Sequence, residues 1–141
     1  MAFRARAGFL ALMLVVAIAI SALASSNARR VVGNCTKSQI RPVSIVLTCA
    51  DANTALTKLR WSSFGHASAY ASGDYYENDC TPNCAAGKFH SYPVKLALTS
   101  AKVCRDKFDD YQRGTITFTG ARPPGQKGAH ASIQLFCPLP G

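Results

Sequence analysis

The sequence predicts an all-β fold: a small disulfide-stapled sandwich or open barrel of about six short strands, with at most one short helix. Three observations predict it. Short β-branched or apolar segments with period-two alternation recur along the chain. Clusters of Pro, Gly, Asn and Asp separate them. Six cysteines, Cys35, Cys49, Cys80, Cys84, Cys104 and Cys137, all follow an apolar leader, and an even count in an exported chain reads as three disulfides.

The leader comes first. Arg4 and Arg6 precede an apolar run over residues 9–20, and Ala22-Leu23-Ala24 fits an A-x-A cleavage site. Basic, apolar and small-residue regions in that order make a signal peptide over 1–24. A membrane anchor would need about 20 apolar residues, and Ser21, Ser25 and Ser26 come too early. Cys35 lies too far past the apolar run for lipid attachment. Residues 25–40 are polar and irregular, a flexible leader pinned at Cys35, and 41–141 form a single all-β secreted domain. The expected location is extracellular, with no stable membrane insertion once the signal is removed. Asn34-Cys35-Thr36 matches the N-glycosylation sequon.

The strands follow. Residues 43–49 are β-branched and apolar, entered by Pro42 and ended by Asp51-Ala52-Asn53. Thr57, Leu59 and Trp61 alternate with Lys58, Arg60 and Ser62, which predicts one buried face and one basic, wet face. A tryptophan so placed beside Leu59 is expected in the core. Residues 68–75 form a third strand. Tyr75 and Tyr76 then face opposite ways. Tyr92, Val94, Leu96 and Leu98 alternate with Pro93, Lys95, Ala97 and Thr99. Because Pro93 has no N–H to give, this is an edge strand or starts at Pro93. Residues 101–111 are the one candidate helical turn, with Phe108 and Tyr111 three apart and Gly114 to end it. Residues 115–119 and 132–137 are the last strands, separated by the loop 122–128.

Between the third and fourth strands lies Asn78-Asp79-Cys80-Thr81-Pro82-Asn83-Cys84-Ala85-Ala86-Gly87. Pro82 fixes its own φ and Gly87 tolerates positive φ, so the stretch reads as a rigid turn. A Cys80–Cys84 bridge would constrain the unfolded chain little, whereas distant pairings stabilise more. Pro82 also limits how the two sulfurs turn towards each other. Cys80 and Cys84 are therefore expected to bond Cys35 and Cys49, in either order, leaving Cys104 to pair with Cys137. Zinc is not expected: Cys80 and Cys84 offer half a site, and no C-x-x-C or H-x-x-x-H completes it. His66, His90 and His130 fit no ligand spacing. Two intervening residues, not three, suit thioredoxin-like redox chemistry. No metal and no cofactor are implied.

Function is less constrained. The chain carries 16 Lys and Arg against 7 Asp and Glu, a net charge of +9. An exported basic protein meets anionic polymers such as wall teichoic acids. The ordinary role of such charge is solubility, and the dispersed bases contain no run of five or six of the kind that marks a tail. No specific nucleic-acid recognition is expected. Lys58, Arg60 and Lys88, with Tyr70, Tyr75, Tyr76 and Tyr92, supply a mix of charge and aromatic surface suited to an anionic wall polymer or carbohydrate. The alternative is a small secreted, nuclease-like hydrolase in which Asp74, Glu77, Asp79 and His90 provide acid and base. No G-x-S-x-G or H-E-x-x-H is present. The acids also lack EF-hand spacing. No catalytic residue is assigned, and a non-enzymatic binding or structural role is the preferred expectation.

One further pattern spans residues 41–124. Arg41-Pro42, Leu47-Thr48-Cys49-Ala50-Asp51-Ala52-Asn53, Leu59-Arg60-Trp61-Ser62-Ser63-Phe64-Gly65, residues 78–87 and Ser91-Tyr92-Pro93-Val94 together make the chain resemble a family of small, disulfide-containing secreted proteins of high-GC Gram-positive bacteria. That family has no assigned biochemistry. Where it often shows a second tryptophan, this chain has Phe64. The resemblance implies export and a shared fold, and carries over no catalytic residue. It also implies that the first four cysteines form a recurrent set.

Overall fold

A computed structural model describes residues 30–139. The signal-peptide reading of 1–24 and the first part of the leader lie outside the described residues. Among the described residues there are eight strands and no helix: β1 (Arg30–Asn34), β2 (Lys37–Gln39), β3 (Ile45–Val46), β4 (Thr54–Phe64), β5 (Ala69–Asn78), β6 (Phe89–Val103), β7 (Asp109–Phe118) and β8 (His130–Gln134). They form one curled sheet in the order β2-β1-β7-β6-β5-β4-β3, with β8 also on β7. All neighbours are antiparallel except β1 and β7. The fold is all-β and stapled by three disulfides. It is the open-barrel alternative, a half-barrel, with more and longer strands than the sequence predicts.

The alternation of the central strands explains the curl. On β6, Val94, Leu96 and Leu98 are buried while Lys95 and Thr99 are exposed. On β7, Ile116 and Phe118 point the same way, and on β5 the inner residues are the small Ala69 and Ala71. Small side chains on the concave face of the middle strand let its larger neighbours converge. With Ile45, Leu56, Leu59 and Leu135 they make one core, each large member contributing roughly 1.5–3 kcal/mol. Trp61 is half-buried against it, and its indole N–H donates to the Pro42 carbonyl at 2.8 Å. Its ring meets Phe64 edge-on at 4.9 Å, and Phe64 in turn meets the buried Tyr111. Trp61 thus faces inward, at the margin of the core rather than within it as expected.

A bulge interrupts β4. Its register on β5 shifts between Thr57 and Arg60, and Lys58 takes a φ of 52°. The opposing residue is Gly73, where a Cβ would come within 2.6 Å of the Thr57 carbonyl oxygen.

Several expectations need correction. Residues 101–111 are not helical. They are the end of β6, a tight turn and the start of β7. Cys104 N donates to Phe108 O, Lys107 N donates to Cys104 O, and Lys107 has a φ of 64°. Phe108 is exposed while Tyr111 is buried, so their three-residue spacing marks no common face. The 43–49 segment pairs only at Ile45 and Val46, because the Val43 carbonyl accepts from Leu59 N and Leu47 N turns to Thr54 O. Strand β6 is central, not an edge. Pro93 lies just beyond the last β6–β7 pair, Val94 with Phe118, and its carbonyl accepts from Thr119 N. The missing N–H therefore falls where β7 has run out. The stretch read as an irregular leader contains β1 and β2, with Val31 and Val32 buried.

The cysteine pairing also differs. The bridges are Cys35–Cys49, Cys80–Cys84 and Cys104–Cys137. Only the last is as expected. Chain entropy weighs what a bridge removes from the unfolded state, not which sulfurs the native backbone brings together. Here Asn78 and Asp79 fold the loop on itself. Asn78 Nδ2 donates to Cys84 O at 2.7 Å, and Asn78 Oδ1 accepts from Cys80 N at 3.1 Å. Asp79 Oδ1 accepts from Thr81 N and Lys88 N. The Cα atoms of Cys80 and Cys84 end 3.7 Å apart. Gly87 serves this packing rather than a positive φ: a Cβ there would lie 2.1 Å from Asn78 Oδ1.

Candidate functional site

The residues expected to form a ligand surface divide between the two faces of the sheet. On the convex face a row runs straight across the strands. Arg60 stands opposite Ser72, Ser72 opposite Lys95, Lys95 opposite Thr117, and Thr117 opposite His130. Directly opposed residues share a face, and strands lie about 4.8 Å apart, so Arg60 and Lys95 sit roughly 10 Å apart at their backbones. The β4 bulge adds Lys58, whose ammonium contacts Asp74 Oδ2 at 2.9 Å. That contact is the main cause holding the Asp74 carboxyl below its ordinary value. Lys58, Arg60, Lys95, Ser72, Asp74 and Thr119 line a shallow depression of about 510 Å³.

Aromatic surface flanks the row. Along β5 the outward residues are Tyr70, Ser72, Asp74 and Tyr76, a stripe about 20 Å long. Tyr70 is exposed, and Tyr76 stacks flat on Phe89 with centroids 4.7 Å apart. Lys88 is exposed in the approach to β6. The predicted opposition of Tyr75 and Tyr76 is present. Tyr75 faces inward, half-buried, edge-on to Phe118 at 5.5 Å. Tyr92 lies directly across from it and also packs on the core. The convex face thus keeps Lys58, Arg60, Tyr70 and Tyr76, loses Tyr75 and Tyr92, and leaves Lys88 exposed in the loop before β6. It gains Lys95, Thr117 and His130. A single strand's alternation shows which residues point outward but not which strands lie side by side.

The acid–base candidates divide too. Asp74 is outside with Lys58. Glu77, Asp79 and His90 gather at the rim of the concave side, Glu77 directly opposite His90. His90 Nε2 lies 2.9 Å from Asp79 Oδ2. That hydrogen bond, followed by those from the Lys88 and Thr81 amides, holds the Asp79 carboxyl down at about 2. Asp79 is therefore an ionised carboxylate serving the disulfide loop and His90 together, and both partners are exposed. Among the described residues no group of three or more His, Cys, Asp or Glu is disposed to hold a metal ion.

Within the half-barrel a cleft of about 530 Å³ opens between β3–β4 and β8. Tyr75, Phe118 and Ile116 form its floor, Glu77 and Thr54 one wall, and the 123–126 loop the other. Burial first, and then Glu77, push the Tyr75 hydroxyl up to about 12.

The sequence reading missed one further group. Asp110 is fully buried. Its carboxylate takes a hydrogen bond from Ser38 Oγ at 3.2 Å, and the same hydroxyl also lies against Asp106. Burial, then the Asp106 charge, raise the Asp110 carboxyl to about 6. An acid run Asp109-Asp110 flanked by Phe108 and Tyr111 was the available signal.

Among known proteins the chain matches no family model, no curated sequence and no solved structure. Three disulfides point to an oxidising environment of the kind found outside the cytosol. Among the described residues no helix is long and apolar enough to cross a membrane.

Proposed function

We propose that this is an exported, non-enzymatic binding protein whose convex face engages anionic polymers of the cell surface. The observation that supports the reading best is the cross-sheet row, which sets Arg60 and Lys95 over Ser72 and Thr117 with Lys58 beside them. Cations at a spacing fixed by strand separation, with hydroxyls between, suit repeated phosphate or sulfate groups along an extended chain. The stacked Tyr76–Phe89 pair offers apolar contact at one end. A rigid sheet presents these groups with little ordering left to do on binding.

The test is binding to polyphosphate and to heparin. Retention at low salt that falls steeply as salt is added supports the reading, since exposed charges are screened within about 10 Å at 0.1 M. Passage through both columns unretained at low salt contradicts it.

A second reading, a small nuclease-like hydrolase, has one observation in its favour: the Asp79–His90 contact at 2.9 Å. Asp79 orients the ring, leaving the other nitrogen of His90 as base. Hydrolysis of nucleic acid that vanishes in His90→Ala would support it; absence of any hydrolysis in the intact protein would end it.

A further inference from the structure

The cleft inside the half-barrel has the opposite character to the convex face. Among the described residues no Lys or Arg lines this cleft. Its one carboxylate is Glu77, the only glutamate in the protein. Glu77 stands two residues along β5 from Tyr75, on the same inward face. The aromatic floor of Tyr75 and Phe118 lies beside it. His90, directly across from Glu77, is turned to Asp79. Leu47 and Gln134 line both this cleft and a second, neighbouring cavity of about 250 Å³. Val46, Leu135, Phe136 and Leu139 wall that chamber together with two disulfides, and among the described residues no charged one lines it.

We propose that this two-chambered cleft binds an organic ammonium ion that carries an apolar chain. The head group meets the Glu77 carboxylate and the Tyr75 and Phe118 rings, which attract a cation through charge and through their π faces. The apolar chain passes Leu47 into the smaller chamber, where hydrocarbon leaves water at about 0.8 kcal/mol per buried methylene. Charge sign decides against the alternatives. An anionic amphiphile would bring a second negative charge beside Glu77, with no Lys or Arg among the described residues lining the cleft. A neutral one would desolvate Glu77 without compensating it.

The experiment titrates the oxidised protein with hexyltrimethylammonium, hexan-1-ol and hexanoate, followed by nuclear magnetic resonance. Saturable binding of the ammonium, with amide shifts at Tyr75, Glu77 and Phe118, is expected, and hexanoate is expected to leave those signals unmoved. Glu77→Gln should weaken the ammonium about tenfold or more through the lost charge attraction, and should leave the alcohol bound as tightly as before or more so. Hexanol or hexanoate binding as tightly as the ammonium, no saturable binding of the ammonium, or a folded Glu77→Gln protein of unchanged affinity would each overturn the proposal. Should Glu77→Gln fail to fold, the contrast among the three probes on the intact protein decides alone. An Arg60→Gln, Lys95→Gln protein should bind the ammonium normally, so this proposal and the polyanion reading fail separately.

Discussion

Asn34 and Val46 hold the half-barrel shut. Asn34 Oδ1 accepts from Val46 N at 3.0 Å, and its Nδ2 donates to Ser44 O at 3.1 Å and to Gln39 Oε1 at 2.7 Å. Strands β1 and β3 share no ladder, so one side-chain amide does between them what backbone pairing does elsewhere. The Cys35–Cys49 bridge, one residue on, fastens the same seam. Asn34→Ala leaves backbone groups without partners and should cost about 1–3 kcal/mol in urea unfolding of the oxidised protein. Asn34→Asp keeps the acceptor for Val46 and loses both donors, so it should fall between Ala and the native residue.

The same geometry bears on the sequon. With Nδ2 committed to two acceptors, the folded protein should take no glycan at Asn34 even when made in a host that glycosylates. Intact-mass measurement of protein secreted by such a host checks this, and a glycoform on folded material would contradict it.

The three disulfides close loops of different size, with sequence separations of 14, 4 and 33 residues. Chain-entropy estimates give about 3 kcal/mol for the first, about 1.9 for the second and about 3.7 for the third. Replacing both cysteines of Cys80–Cys84 by alanine should therefore destabilise least, and replacing Cys104 and Cys137 most. Guanidinium midpoints of the three double variants test the order.

Asp110 makes stability depend on pH. Its carboxyl rises from an ordinary 3.8 to about 6 on folding. Between those values the folded protein holds a proton the unfolded chain has released, so stability falls as pH rises through that window. The loss amounts to at most about 3 kcal/mol. Asp79 works in the opposite sense. Held at about 2 when folded, it contributes above its unfolded value and loses that contribution as pH falls towards 2. The melting temperature should rise between pH 7 and pH 5 and fall again in stronger acid. Asp110→Asn should flatten the first slope; a native-like slope in that variant would refute the assignment.

The sheet's central strands were legible in the chain because each carries its own signal. Leu96 alternates with Lys95, Leu59 with Arg60, and Tyr75 opposes Tyr76, as period-two side chains must. What depends on distant residues was not legible. The row through Arg60, Lys95 and His130 exists only through strand register, and nothing local to those residues encodes it. Strand β1 hid behind polar neighbours and pairs with β7 from far along the chain. The Cys80–Cys84 bridge turned on side-chain hydrogen bonds from Asn78 and Asp79, which the loop-entropy argument does not weigh. Phe108 and Tyr111 matched a helical spacing that a tight β-turn produced instead.

The convex-face row is tested most directly by neutralising two of its cations and comparing two others. Polyphosphate affinity would be measured across a salt series for the native protein, for Arg60→Gln with Lys95→Gln, and for Lys107→Gln with Lys127→Gln, two exposed loop residues. Each of the two variants loses two positive charges, one pair from the row and the other from loops. The row variant should bind about tenfold more weakly at low salt and show a shallower salt dependence, while the loop variant stays close to native. Equal losses in both variants, scaling with net charge alone, would contradict a defined binding face.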